Sequence, residues 1–157
     1  MSTPLLKKMN LKDQKEILVL NAPASFKAEL DKLEGIKIRL TAAGSRLTPF
    51  AIAFVITQAD LDKAARTLAK LTEGDAVVWF AYPKQSSKKY EAEINRDHGW
   101  DVVGKEGFEP VRGVAIDEDW SGLRVRRVEF IRKMTRGAEH AMTAEGKRKA
   151  RGSRSKR

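Results

Sequence analysis

Residues 76–82 read Ala76-Val77-Val78-Trp79-Phe80-Ala81-Tyr82, and Pro83 follows. No charge interrupts this run, and β-branched and aromatic side chains dominate it. A short, continuous apolar run of this kind is the pattern of a strand covered on both faces. It therefore belongs in the middle of a sheet. Upstream, residues 50–56 (Phe-Ala-Ile-Ala-Phe-Val-Ile) repeat the pattern. Between the two runs, Leu61, Ala64, Ala65, Leu68 and Leu71 recur at helical spacing. Thr57 stands where an N-cap belongs, Asp60 falls in the first turn, and Gly74 closes the segment. Strand, helix, strand in this order predicts two parallel strands joined by a crossover helix.

The rest of the chain extends this unit in both directions. Thr3 and Pro4 open a short predicted helix over residues 4–11. Ile17-Leu18-Val19-Leu20 is another doubly covered strand, ended by Asn21-Ala22-Pro23. Phe26, Leu30 and Leu33 give residues 24–33 an apolar helical face, with Gly35 placed as a C-terminal cap. Ile36, Ile38 and Leu40 alternate with Lys37 and Arg39, as in a half-exposed strand near a sheet edge. Downstream, a helix is expected somewhere in 86–107, weakened by Gly99, Gly104 and Gly107. Val111–Ile116 and Leu123–Phe130 read as two strands joined by the turn Asp117-Glu118-Asp119-Trp120-Ser121-Gly122. The whole predicts an α/β fold of three layers, a Rossmann-like, mostly parallel sheet of about six strands ending in an antiparallel hairpin.

Composition narrows the function classes. The chain has 157 residues, one domain's worth, with 41% hydrophobic residues. It has no cysteine, which removes disulfides, thiolate zinc sites and cysteine nucleophiles. Met1–Asn10 holds no apolar core of signal-peptide length, and no apolar run reaches the ~18 residues of a membrane span. A cytoplasmic location is the expectation. The net charge of +10 is unevenly spread: residues 131–157 carry ten Lys and Arg against two acids, a net of +8, leaving +2 for residues 1–130. The expected organisation is a folded domain over 1–134 and a basic, disordered tail over 135–157. Lys147, Arg148, Lys149, Arg151, Arg154, Lys156 and Arg157 are the candidate polyanion-binding residues. No aromatic residue lies among them, so phosphate attraction without base reading is the expectation, with nucleic acid as the possible partner.

Candidate site residues follow from topology. Ligands of open α/β sheets bind beyond the C-terminal ends of the strands, where strand order reverses. Asn21-Ala22-Pro23, Thr57-Gln58 and the segment Pro83 to Lys88 should project there. Asn21, Lys84, Ser86, Ser87 and Trp120 are the candidate ligand-binding residues. The serines with Lys84 and Lys88 would form an anion site at a helix N-terminus, against the plainer reading of a serine cap. The glycine-rich turn of dinucleotide folds is missing after the first strand, no G-x4-G-K-[ST] occurs, and no G-x-S-x-G accompanies His98. His98 reads as an exposed helix-end residue and His140 lies in the tail. Asp117, Glu118 and Asp119 read as an acidic turn rather than a cation site. No catalytic residue and no metal ligand is assigned, and the cofactor is unknown.

Two stretches carry a resemblance. Val77-Val78-Trp79-Phe80-Ala81-Tyr82-Pro83-Lys84-Gln85-Ser86-Ser87-Lys88 is an apolar strand ending in a P-K-x-S-type turn. Val114-Ala115-Ile116-Asp117-Glu118-Asp119-Trp120-Ser121-Gly122-Leu123-Arg124 is an acidic W-S-G-L hairpin. Together with Leu11–Pro23, they resemble a bacterial family designated only as a domain of unknown function, over about residues 4–130. More distantly, the layout is similar to S-adenosylmethionine-dependent methyltransferases, which also end in a helix, a G-F pair (here Gly107-Phe108) and an antiparallel hairpin. The methyltransferase glycine motif is replaced here by Asn21-Ala22-Pro23. The leading expectation is thus a non-catalytic binding module whose tail attaches to polyanions. The alternatives are a divergent methyltransferase-like enzyme and a nucleic-acid accessory protein acting through the tail.

Overall fold

A computed structural model describes residues 3–43, 46–91, 93–95 and 99–131. The tail cations Lys147 to Arg157, the expected boundary near 134, and His98 and His140 lie outside the described residues.

Six strands form one sheet in the order β2-β1-β3-β4-β6-β5. They are β1 (Glu16–Leu20), β2 (Lys37–Arg39), β3 (Phe50–Phe54), β4 (Val77–Pro83), β5 (Phe108–Ala115) and β6 (Trp120–Arg127). The first four run parallel, and β6 lies antiparallel to both β4 and β5. The apolar run that opened the sequence reading is β4, buried at every residue between β3 and β6. The alternating segment is β2, at the sheet edge as expected. This is the three-layer, mostly parallel α/β fold.

Side-chain alternation along the strands assigns the two covering layers. On one face, Ala51, Ala53, Val78 and Phe80 pack with Leu61, Ala64, Ala65 and Leu68 of α3 (Gln58–Leu71) and Val103 of α4 (Asp101–Lys105). The small alanines of β3 let α3 sit close. On the other face, Phe50, Ile52, Phe54 and Trp79 pack with Leu6 of α1 (Pro4–Lys8) and Phe26 and Leu30 of α2 (Ala24–Leu30). Trp79, fully buried, donates its indole N–H to the Met9 carbonyl at 2.8 Å, which holds the end of α1 on the sheet. Gly122 makes room for the ring: a Cβ there would stand 3.2 Å from Trp79 Cε3 and 3.2 Å from Ile116 Cδ1.

The local signals that set helix starts operate as read. The Thr3 hydroxyl accepts from Leu6 N–H at 3.2 Å. At α3, the Thr57 hydroxyl accepts from Asp60 N–H at 3.0 Å, and Asp60 Oδ2 accepts in return from Thr57 N–H at 3.1 Å. That reciprocal box is worth about 1 kcal/mol. The Thr57 backbone N–H holds the Asp60 carboxyl below its usual range.

Two expectations need correction. The helix placed in 86–107 is only the five residues of α4, and no helix lies between Lys84 and Trp100 among the described residues. That stretch is held by side chains instead: Glu93 Oε1 accepts from Gln58 N–H at 2.8 Å, and the Trp100 indole N–H donates to the Asn95 carbonyl at 2.7 Å. The final hairpin also turns more tightly than read, because β6 starts at Trp120 rather than Leu123. No helix among the described residues is long and apolar enough to cross a membrane.

Candidate functional site

Strand order reverses at β1, since the chain leaves β1 for β2 on one side and returns to β3 on the other. The turn after β1 is sharp. Asn21 takes the left-handed conformation (φ 59°), which Asn tolerates better than most residues. Pro23 then begins α2 without a side-chain cap. So the missing glycine does not prevent the turn; Asn21 makes it.

Three segments meet beyond the C-terminal end of β4, where the hairpin also turns back. They are Pro23–Ser25, the loop from Lys84 to Tyr90, and Asp117–Trp120. An open groove of about 410 Å³ lies among them, lined by Ser25, Lys89, Tyr90, Glu118 and Asp119, with Trp120 beneath. A neighbouring depression of about 540 Å³ continues over Lys84, Ser87, Lys88, Glu93 and Asn95.

Hydroxyl–carboxylate bonds tie the three segments together. The Ser25 hydroxyl donates to Asp117 Oδ2 at 3.0 Å, and the Ser87 hydroxyl donates to Asp119 Oδ1 at 2.8 Å. Lys84 N–H donates to the Asp119 carbonyl at 2.8 Å, extending the β4–β6 pairing into the turn. Asp117 also closes its own turn: Oδ1 accepts from Asp119 N–H at 2.8 Å and from Trp120 N–H at 2.9 Å. This is a backbone-mimicking Asx turn. The acidic turn is therefore used structurally, and no group of metal-ligating side chains occurs among the described residues.

The groove floor is aromatic. Trp120 is only 3% exposed and stands between Phe54 (centroids 5.1 Å) and Tyr90 (5.0 Å), while Phe26 meets Phe54 at 4.9 Å. Trp120, one of the candidate ligand-binding residues, lines the groove but is nearly all core. The lysines differ. Lys84 is half-buried, Lys88 and Lys89 are exposed, and Lys89 Nζ stands 5.8 Å from the Tyr90 ring centroid.

Of the candidate residues, the structure brings Lys84, Ser87 and Trp120 together, with Ser86 on the outer side against Lys88, Lys89 and Glu118. Asn21 is an exposed turn residue and does not line these grooves. The helix N-terminus imagined for the serines does not exist, because no helix follows them. The Ser87 hydroxyl instead accepts from Tyr90 N–H at 3.1 Å and Lys89 N–H at 3.2 Å, an isolated turn. Sequence reading missed Ser25, Tyr90 and the bridging roles of Asp117 and Asp119. Ser25 and Asp117 stand 92 positions apart, and no local pattern announces the contact.

No family model matches the chain. No curated protein matches it either. Solved structures do. An S-adenosylmethionine-dependent methyltransferase from Aquifex aeolicus superposes with a TM-score of 0.53 at 13% identity, covering 79% of this chain and 88% of that one. The N-methyltransferase NodS from Bradyrhizobium japonicum WM9, in complex with S-adenosyl-L-homocysteine, gives 0.51 at 11% identity over 79% and 84%. At such identities the likeness concerns the fold. It corrects the leading expectation of a non-catalytic binding module: these two solved neighbours of the fold are both described as methyltransferases.

The usual nucleoside cradle of such folds is only half present. A glycine turn lets backbone approach the ligand, and an acid about 20 residues further on binds the ribose hydroxyls. Asn21 supplies the left-handed turn, but Pro23 removes one backbone donor. At the end of β2 the chain reads Arg39-Leu40-Thr41, with no carboxylate. The Arg39 guanidinium is committed to the Arg46 and Ala43 carbonyls at 2.9 and 3.2 Å. These residues do not fit S-adenosylmethionine in that mode. In fold the chain is distantly similar to S-adenosylmethionine-dependent methyltransferases, and different residues line the groove at the C-terminal edge of its sheet.

Proposed function

We propose that this chain is a divergent methyltransferase-like enzyme whose ligand site has moved from the β1 turn to the groove between Ser25, Tyr90 and Asp119. One observation carries the reading: three segments distant in sequence are fastened together by Ser25–Asp117 and Ser87–Asp119 at the edge where α/β sheets bind ligands. Preorganised loops with few free rotamers lower the ordering cost of binding. Tyr90 offers a half-buried ring for an aromatic or sulfonium-bearing group, and Lys84, Lys88 and Lys89 offer donors to an anionic one.

The test is thermal unfolding of the full chain with S-adenosylmethionine and with S-adenosylhomocysteine. A ligand at a hundred times its dissociation constant adds ~2.7 kcal/mol. For a chain of this size that is a rise of roughly 5–10 °C. The proposed site also requires Tyr90→Ala to remove the rise. No shift with either ligand at millimolar concentration would sink the methyltransferase-like reading. A shift that survives Tyr90→Ala would move the site back to the β1 turn.

A further inference from the structure

The far end of the hairpin carries a second feature, unrelated to the groove. On β5 and β6 the register places Arg112 directly opposite Arg124, and Arg126 follows two residues along on the same face. Like charges directly opposite each other destabilise a sheet. Asp75 relieves Arg124 only in part. Asp75 is taken by Arg126, which grips it through Nε and Nη2 at 2.6 Å each. Glu109, opposite Arg126, is buried and already engaged. Arg124 is half-buried, and its Nε is enclosed with no acceptor among the described residues. A buried charged donor left without an acceptor is destabilising. Burial first, and then Arg126, push the Arg124 guanidinium below its usual range.

We infer that the Arg112–Arg124 face of the β5–β6 hairpin binds the phosphate backbone of single-stranded nucleic acid. Arg112 and Arg124 present two guanidinium groups, which donate strongly to phosphate oxygens. The phosphates of a nucleic-acid strand recur along one covalent backbone, a repeat that a lipid surface does not offer. Phe130, 38% exposed just beyond β6, provides a ring on which a base can stack. The chain also leaves the described fold at Ile131, from this end of β6, into residues 132–157 with ten Lys and Arg against two acids. A polymer of phosphates can meet both; a lone phosphate cannot. The inference does not depend on the methyltransferase-like reading.

Fluorescence anisotropy of a fluorescein-labelled 20-nucleotide oligouridylate, titrated with the full chain at several salt concentrations, tests it. Each phosphate contact on a single strand contributes ~0.7 to the slope of log affinity against log salt. Arg112→Gln with Arg124→Gln should therefore reduce the slope by ~1.4 and weaken binding at least about tenfold at low salt. Arg112 is exposed, so Arg112→Gln alone should take away ~0.7 even if the Arg124 change lowers stability. Arg124→Lys, which keeps the charge, should restore most of the slope. Three results overturn the inference: variants whose slope and affinity match the wild type, complete loss of binding when only the seven cations Lys147 to Arg157 are neutralised, or retention on phosphatidylserine vesicles without binding to the oligonucleotide.

Discussion

Removing the carboxylate of Asp117 should loosen the groove without unfolding the protein, and the size of the effect can be worked from its contacts. Oδ1 accepts two backbone N–H groups and Oδ2 accepts the Ser25 hydroxyl, all between 2.8 and 3.0 Å. Hydrogen bonds to charged groups are worth ~1.5–3 kcal/mol when buried. This turn is partly wetted, so water replaces much of each bond, and ~0.5–1 kcal/mol apiece is the appropriate scale. Asp117→Ala should cost about 2 kcal/mol, a fall in Tm of roughly 4–8 °C. Asp117→Asn keeps an amide oxygen for the two N–H groups and an NH2 that can donate to Ser25, so its fall should stay within about 2–3 °C. Calorimetry gives Tm, and amide hydrogen exchange at Asp119 and Trp120 reads the turn directly. Exchange there should quicken in the alanine variant and hold in the asparagine variant. If both variants melt alike, acceptor geometry is not what Asp117 provides. If Asp117→Ala melts within 1 °C of the wild type, the turn does not depend on it at all.

Two further tests address the scaffold. Trp79→Phe strands the Met9 carbonyl in the core and leaves a void beside Gly122; it should cost about 3 kcal/mol and lower Tm by roughly 6–12 °C, and a loss under 2 °C would refute the anchoring of α1. The Arg126 side chain beside Asp75 holds its carboxyl below the ordinary value of 3.8. A depressed folded value means that the pair stabilises above that pH and that its contribution is lost as pH falls through the lower folded value. The Tm gap between wild type and Asp75→Asn should therefore be constant from pH 7 to about 5 and shrink as pH falls below about 4; a gap that is undiminished at the lowest pH where the protein stays folded would contradict the ion pair.

How much of this was legible in sequence depended on the range of the interactions. The β4 run, the Thr57–Asp60 box and the alternation of β2 are local patterns, each readable within a dozen residues, and they were enough for sheet composition and strand direction. The segment from Lys84 to Trp100 was not readable, since its stability comes from partners far along the chain. Ser87 is held by Asp119, Glu93 by the backbone of Gln58, and Gly99 by the Gln58 side-chain amide at 2.8 Å. Gly99 has φ 100°, and a Cβ there would fall 2.7 Å from Gln58 Oε1, so the glycine that weakened a helix reading marks a close approach instead. Helix periodicity had nothing to detect.

Trp120 shows a signal that was present and set aside. Read as a turn residue, it stood among the candidate ligand-binding residues. Read by strand alternation from Arg126 backwards, Arg124, Gly122 and Trp120 share one face, while Val125 and Leu123 share the other. With Arg124 in register with Trp79, that places Trp120 on the Trp79 side of the sheet, against Phe54. The same alternation puts two arginines on a face whose other half is core. An apolar face that turns cationic part-way along one strand is a boundary between the surface α1 and α2 cover and the surface they leave open. The groove and the arginine face thus come from one hairpin, at its two ends, and their separation along β6 explains why substitutions at Arg112 and Arg124 should leave any response at Tyr90 unchanged.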